Sequence, residues 1–454
     1  MELQKFTKLY ASKYFLLVML VLGVLVLLLP GMFRETPFMI GDEGFYHLRI
    51  SSELLENGRI DYDELSFSGR SEFLEKGLSY SIAGVAFITK SSVESSAKLL
   101  FLLLGVVSLV LIHLILKSYS GDESMLAMPI LIFSPAFVYL FSVVNKFTIP
   151  VFLTLLLIWL LLKKKYIISA VVFLITPFFN YEYFLFLIFI AIFVLLYIKS
   201  KKYLLIIYSF IFVILLFGLR GINLNIISDF GSNIGLSIFG IFIVLFGFGF
   251  SWKKKKLIHL YIIGFLLFLV SLKFSWVIFL LNIPFSLLIA FNLNNLVSAK
   301  WESGLIKELT VLLLICGLLF SGISSVKSLS EEEPNEGLFT ALGMLPRGSV
   351  VLSHHSNGHW ISYSGMKNVI DGFVNFENIE ERDRDVNELF RTRDFNIATN
   401  ILNKYNVDYI LVDNKMKHGL VWSEEEEGLL FLLKYSEDFE KIYENDIEIW
   451  RYLG

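Results

Sequence analysis

The chain has 454 residues, 56% of them hydrophobic, and a formal net charge of −3. Its mean hydropathy of +0.67 excludes an ordinary soluble globular protein, which keeps far more polar surface. The basic residues lie in short clusters between apolar runs rather than on one face, which excludes nucleic-acid binding, and the single cysteine, Cys316, excludes an intrachain disulfide.

A membrane-spanning helix needs about 20 apolar residues, with about 17 as a working minimum. Runs near that length lie at 14–30, 97–116, 124–142, 147–162, 203–219, 234–250, 257–272, 274–291 and 306–322. The stretch 166–198 holds two more, divided at Pro177 and at Asn180-Tyr181-Glu182. These predict a polytopic α-helical membrane protein with about eleven spans, the first a retained signal-anchor, because no small-residue cleavage pattern follows it. The segment 78–89 is too short to span and is expected to lie at the membrane interface.

Basic residues in short loops set the orientation. Lys5, Lys8 and Lys13 put the N-terminus in the cytoplasm. Alternation then puts Lys117, Lys163-Lys164-Lys165, Lys199 to Lys202 and Lys253 to Lys256 on the same side. Residues 1–330 are expected to form the membrane domain, with a first external loop at about 31–96. Residues 331–454 are expected to form an extracytoplasmic α/β domain, preceded by a short linker at Ser328 to Glu336. Within that domain, Ser349 to His354 and Asp408 to Val412 read as strands, and 378–391 and 394–404 as helices, the second capped by Asp394. Phe439 to Leu453 reads as a hairpin turning at Glu444-Asn445-Asp446.

The first external loop opens with Gly41-Asp42-Glu43-Gly44-Phe45-Tyr46-His47-Leu48-Arg49. Two carboxylates, a His and an Arg in so short a run suit a hard divalent cation, Mg2+ or Mn2+, that clamps a phosphate, and Arg49 suits a bidentate phosphate contact. A solvated acidic juxtamembrane loop is the simpler alternative. His354, His355 and His359 lie close in sequence and invite a zinc reading, but Gly358 argues against the helix that would bring two of them onto one face. A carboxylate at the depth of Glu182 is a functional candidate. Arg220 and Lys273 lie at outer helix ends, suited to a lipid phosphate or to simple snorkelling.

The run Asp-x-x-Phe-Tyr-His-Leu-Arg after the first apolar helix resembles the first external loop of type C membrane glycosyltransferases, most of all archaeal oligosaccharyltransferase catalytic subunits. The segment Glu56 to Asp61 and the helix 78–89 fit the same pattern. The resemblance implies that Asp42 belongs to an acidic motif that binds metal and acceptor. It also implies a second acidic motif in the loop Ser142-Val143-Val144-Asn145-Lys146-Phe147, which here contains no acid; Glu182 is the nearest substitute. Ile226-Ile227-Ser228-Asp229 resembles a later hydroxyl-rich motif ending in a metal ligand, Asp229. In the soluble domain, the run Val350 to Ile361 stands where the family carries Trp-Trp-Asp-Tyr-Gly for its acceptor sequon. Both Trp residues and the Asp are replaced here, which argues against sequon recognition in the usual manner, and the run is expected to be a polar loop facing the active cavity.

The resemblance implies a reduced relative that moves a sugar or oligosaccharide from a polyprenyl (di)phosphate to an acceptor protein or glycan at the outer face of the bilayer. Asp42 and Arg49 are the expected catalytic residues, Asp42 and Asp229 the Mg2+ or Mn2+ ligands, and His47, Glu182, Arg220, His355 and Asn357 the substrate contacts. The alternatives are a non-catalytic scaffold that keeps the fold, and a transporter or flippase of lipid-linked sugars; the latter should show paired broken helices in its two halves.

Overall fold

A computed structural model describes residues 13–58, 60–71, 76–120, 125–180, 183–199, 235–251, 255–272, 274–373, 379–424 and 426–454. The chain divides into two compact units. One comprises Met1–Glu35, Glu75–Leu78 and Lys98–Glu331; the other comprises Thr36–Leu74, Ser79–Ala97 and Glu332–Gly454. Most of the segment 36–97 therefore groups with the C-terminal segment rather than with the helices that flank it.

The first unit is helical. Among the described residues, four helices are long and apolar enough to cross a membrane: Tyr14–Phe33, Val93–Ser118, Ile278–Ser298 and Gly304–Ser330. The shorter apolar helices include Thr148–Leu162, Tyr166–Phe178, Ile238–Gly249 and Leu257–Ser271. Against the expected count of about eleven spans, the described residues hold four helices of spanning length and several shorter apolar ones, and the run 203–219 lies outside the described residues. The run 124–142 is two helices, Ala127–Ile132 and Pro135–Ser142. Pro135 cannot continue a helix from Phe133, but it suits the first turn of the next, and Ser134 caps that helix by accepting from Phe137 N at 3.3 Å.

Ile278–Ser298 is the most buried of the four. Its polar side chains reach other helices: Asn282 Nδ2 donates to Ser134 Oγ at 2.5 Å and Asn292 Nδ2 to the Tyr261 hydroxyl at 2.9 Å. Such bonds satisfy polar groups where no water is present. Gly304–Ser330 is mostly uncovered and presents Leu305, Leu309, Leu312, Leu313 and Phe320 outward, as a lipid-facing helix does. It runs through Ser328, so the expected linker is helical as far as Ser330. Gly322 lets this helix approach Phe133, whose carbonyl a Cβ at 322 would strike.

The second unit is α/β. Strands β1 (Tyr62–Asp63) and β2 (Arg70–Ser71) pair antiparallel in the first loop. A five-stranded sheet runs in the order β4-β3-β5-β7-β6, from β3 (Val350–Leu352), β4 (Lys367–Asn368), β5 (Tyr409–Asp413), β6 (Phe439–Glu444) and β7 (Ile447–Tyr452). β3 lies parallel to both β4 and β5, while β7 runs antiparallel to β5 and β6. Its core joins Leu352, Ile410, Val412 and Trp450 with Leu389 and Phe390 of helix Ile379–Arg391, Leu402 of helix Phe395–Lys404, and Phe67 from the first loop. The helix Phe395–Lys404 starts at Asp394, whose Oδ1 accepts from Asn396 N at 2.8 Å, as its capping role predicts.

Candidate functional site

Helix Glu43–Asn57 begins where the loop motif begins. Asp42 is its N-cap, with Oδ1 accepting from Glu43 N at 2.7 Å. The carboxylate thus sits at the positive end of the helix, where a negative charge is stabilised. The preceding residue is held from both sides: Gly41 N donates to the Glu333 carbonyl at 3.1 Å, and Trp360 Nε1 donates to the Gly41 carbonyl at 3.1 Å. Asp42 Oδ2 makes no hydrogen bond among the described residues, so this half-buried carboxylate has one oxygen to offer.

The helix buries Tyr46, Ile50 and Leu54 against Ile60, Ala83 and Phe373. Arg49 is buried with them, and its fork closes on Asp63 of β1, Nη1 to Oδ1 at 2.8 Å and Nη2 to Oδ2 at 2.5 Å. Glu53 and Ser66 add bonds at 3.0 and 3.2 Å. Burial opposes both charges, but mutual attraction outweighs it: Asp63 is drawn down to about 2, and the Arg49 guanidinium is raised above its usual value. The expected bidentate grip of Arg49 on a phosphate is therefore not what this geometry offers, because a carboxylate of the same loop occupies the fork. His47 is also buried, with Nδ1 3.0 Å from Ser79 Oγ, while Nε2 lies 3.8 Å from Glu43 Oε1 and has no hydrogen-bond partner.

The other half of the site comes from the run after β3. His354 caps a single turn over His355–Asn357, and the helix Gly358–Tyr363 follows directly. The expectation that Gly358 forbids a helix is overturned: it starts one, because only a residue without Cβ fits against the Ile370 carbonyl and Asp371. This short helix buries His359 beside Tyr46 and Phe373, at ring separations of 5.7 and 4.8 Å. His359 Nδ1 faces Asp371 Oδ2 at 3.9 Å, and neither atom has a hydrogen-bond partner among the described residues. Asp371 Oδ1 accepts from Phe373 N at 3.0 Å and lies 3.8 Å from Arg70 Nη1. The Arg70 guanidinium rests over the rings of Tyr46, Phe67 and Phe373 at 5.0–5.5 Å, within cation–π range.

Gly372 joins the two halves. It is exposed, and a Cβ on it would stand 3.5 Å from His359 Nε2 and 3.7 Å from Asp42 Oδ2. The acid of the loop and the imidazole of the sheet domain thus border one small opening.

The remaining expected contacts fall elsewhere. Asn357 is buried, with Nδ2 donating to Asp413 Oδ2 at 2.6 Å and to Ser353 Oγ at 3.0 Å, so its amide holds the sheet edge instead of lining a cavity. His355 is exposed and its ring lies 3.9 Å from that of His354. Burial, together with the neighbouring His355, pushes His354 down to about 4. The zinc reading of these histidines finds no support: among the described residues no three or more His, Cys, Asp or Glu side chains gather as a metal site. Glu182, Arg220, Asp229 and Lys273 lie outside the described residues. Asn145, where an acid was expected, is buried and holds its own turn, donating to the Val143 carbonyl at 2.8 Å and accepting from Phe147 N at 3.0 Å. Sequence reasoning noticed His359 only as part of the histidine run, and it passed over Asp63, Arg70 and Asp371 as site residues; none has a local signal, because each gains meaning only across the fold.

The fold is similar to those of two solved glycosyltransferases, an archaeal oligosaccharyltransferase and a mycobacterial arabinofuranosyltransferase. The chain aligns with the apo oligosaccharyltransferase of Archaeoglobus fulgidus at a TM-score of 0.61 and 13% identity, over 95% of this chain and 74% of that one. The oligosaccharyltransferase AglB of the same organism, in complex with an inhibitory peptide and a dolichol-phosphate, gives 0.59 at 12% identity, over 94% and 73%. The mycobacterial arabinofuranosyltransferase AftD gives 0.55 at 13% identity, over 98% of this chain and 40% of that one. A further structure of the Archaeoglobus enzyme, complexed with zinc and sulfate, aligns at 0.57 and 13% identity. At such identities the likeness is one of fold. No protein-family model matches the sequence, and no curated protein is detectably similar to it.

Proposed function

We propose that the protein is a membrane glycosyltransferase that moves a sugar or oligosaccharide from a polyprenyl phosphate or diphosphate to an acceptor on the extracytoplasmic side. The observation that carries this reading is the free Oδ2 of Asp42, fixed at a helix N-terminus just after the first span and bordering the same opening as His359. The N-terminus is cytoplasmic, by the lysine clusters, and the loop and C-terminal segment face outward.

The residues present fit a divalent cation in part. Asp42 Oδ2 is a hard oxygen ligand of the kind magnesium and manganese take, and Asp229 would supply the second. Bound there, the cation would neutralise charge on the leaving phosphate. The chain's own residues do the rest. The helix end and the grip on Gly41 keep Asp42 in one orientation, Arg49 and Asp63 lock the helix to its loop, and His47, one turn along from Glu43, is buried with Nε2 facing that carboxylate at 3.8 Å.

A second reading has its own observation: Asn145 spends its amide on its turn, so the loop that carries an acidic motif in the resembling family is purely structural here. That favours a non-catalytic scaffold. Purified full-length protein in lipid, given dolichyl-phosphate-linked tritiated hexose and manganese, separates the two. Metal-dependent consumption of the donor, abolished by Asp42→Asn, supports the enzyme; no consumption, or consumption indifferent to that substitution, leaves the scaffold.

A further inference from the structure

We propose that the opening at Gly372 seats the acceptor, that the acceptor presents a hydroxyl group, and that His359 takes the hydroxyl proton. This rests on the glycosyltransferase reading above and goes beyond it in naming the acceptor class and a second working residue.

Three observations carry it. First, His359 and Asp371 are buried, yet the facing atoms Nδ1 and Oδ2 stand 3.9 Å apart without hydrogen-bond partners among the described residues. Leaving such buried groups unsatisfied is costly, and a purely structural histidine avoids that cost by bonding. A carboxylate behind one imidazole nitrogen orients the ring and stabilises it when the other nitrogen gains a proton. Second, that other nitrogen, Nε2, borders the exposed Gly372 together with Asp42 Oδ2, so among the described residues two acceptor atoms converge where Gly372 has no side chain. Third, the side chains in this run suited to gripping a peptide acceptor are already committed: the Asn357 amide to Asp413 and Ser353, and the Trp360 indole to the Gly41 carbonyl. A hydroxyl oxygen keeps its lone pairs and needs only one proton removed, whereas a carboxamide nitrogen has its lone pair delocalised and needs more than a single base. In the step, the acceptor oxygen bonds to the anomeric carbon and its proton goes to His359 Nε2. The bond from that carbon to the phosphate oxygen breaks, and the electron pair leaves with the polyprenyl phosphate.

The test uses the full chain in lipid nanodiscs with dolichyl-phosphate-linked tritiated hexose. An octyl glycoside and a peptide containing Asn-x-Thr are offered as alternative acceptors, and release of free hexose to water is followed in parallel. Label is expected on the octyl glycoside and not on the peptide. His359→Gln and Asp371→Asn should each lower kcat for transfer by about 100-fold while leaving KM for the glycoside within about two-fold. Gly372→Ala adds a methyl at ordinary contact distance, so its melting temperature should match the parent while KM for the glycoside rises several-fold. Label on the peptide asparagine, or a His359→Gln kcat within about two-fold of the parent, overturns the inference. Asp42-dependent donor consumption in the same samples would then keep the glycosyltransferase reading intact. If the parent neither transfers nor hydrolyses the donor, both fail together.

Discussion

The Arg49 guanidinium and the Asp63 carboxylate are matched fork to fork across fourteen positions of sequence, with both side chains buried. The pair ties the helix that begins at Asp42 to the small ladder of β1 and β2, so it helps fix the orientation of the acidic motif.

Removing one partner strands the other. Asp63→Asn is expected to destabilise the protein by about 3–5 kcal/mol, since it leaves a buried guanidinium uncompensated. The double variant Arg49→Met with Asp63→Leu should recover most of that loss. Thermal unfolding in detergent measures both, and a double variant as unstable as the single one would disprove the account.

Two acid-sensitive windows should separate. His354 is depressed to about 4, so the unfolded chain takes the proton first; its contribution is complete above about pH 6.5 and is lost as pH falls toward 4. Asp63 is depressed to about 2, so its contribution is complete above about pH 4 and is lost between there and about pH 2, amounting to about 2 kcal/mol. Melting temperature against pH should lose its upper slope in His354→Gln and its lower slope in Asp63→Asn.

Restoring an acid at position 145 should fail to create a second acidic motif. Asn145→Asp puts carboxylate oxygens where an amide donated to the carbonyls of Val143 and Leu140, at an expected cost of about 1–3 kcal/mol. A variant with unchanged stability and a raised rate of donor consumption would show that the loop is catalytic after all.

Gly358→Ala drives a methyl into the Ile370 carbonyl and Asp371. The expected result is a loss of about 1–3 kcal/mol in stability, together with impaired transfer, because the displaced neighbours include both His359 and Asp371. Gly343→Ala meets nothing within contact distance and serves as the control.

Local features of the fold were legible and long-range ones were not. The strands at 350–352 and 409–413, the helices at 379–391 and 395–404, the Asp394 cap and the hairpin at 439–452 all follow from periodicity and turn residues, and the structure has them within a residue or two. The apolar runs announced a membrane protein, but Ser134-Pro135 divides one of them at a cap that hydropathy smooths over. Asp42 stood out because its motif is contiguous. The Arg49–Asp63 pair, the His359–Asp371 approach and the Arg70 cation–π stack join segments whose meeting no window of sequence reveals. Gly358 misled for the same reason: its lack of a side chain answers a neighbour distant in sequence, the Ile370 carbonyl, rather than a local preference.

The hydrogen bonds from Gly41 to Glu333 and from Trp360 to Gly41 have a consequence for biosynthesis. The two ends of that clasp are synthesised far apart in time, because most of the helical unit, Lys98–Glu331, lies between them in sequence. At about 5–20 residues per second the early loop waits for roughly 15–60 seconds before the chain that completes its surroundings is made. The surroundings of Asp42 are therefore completed only after the helices between their two halves have been synthesised.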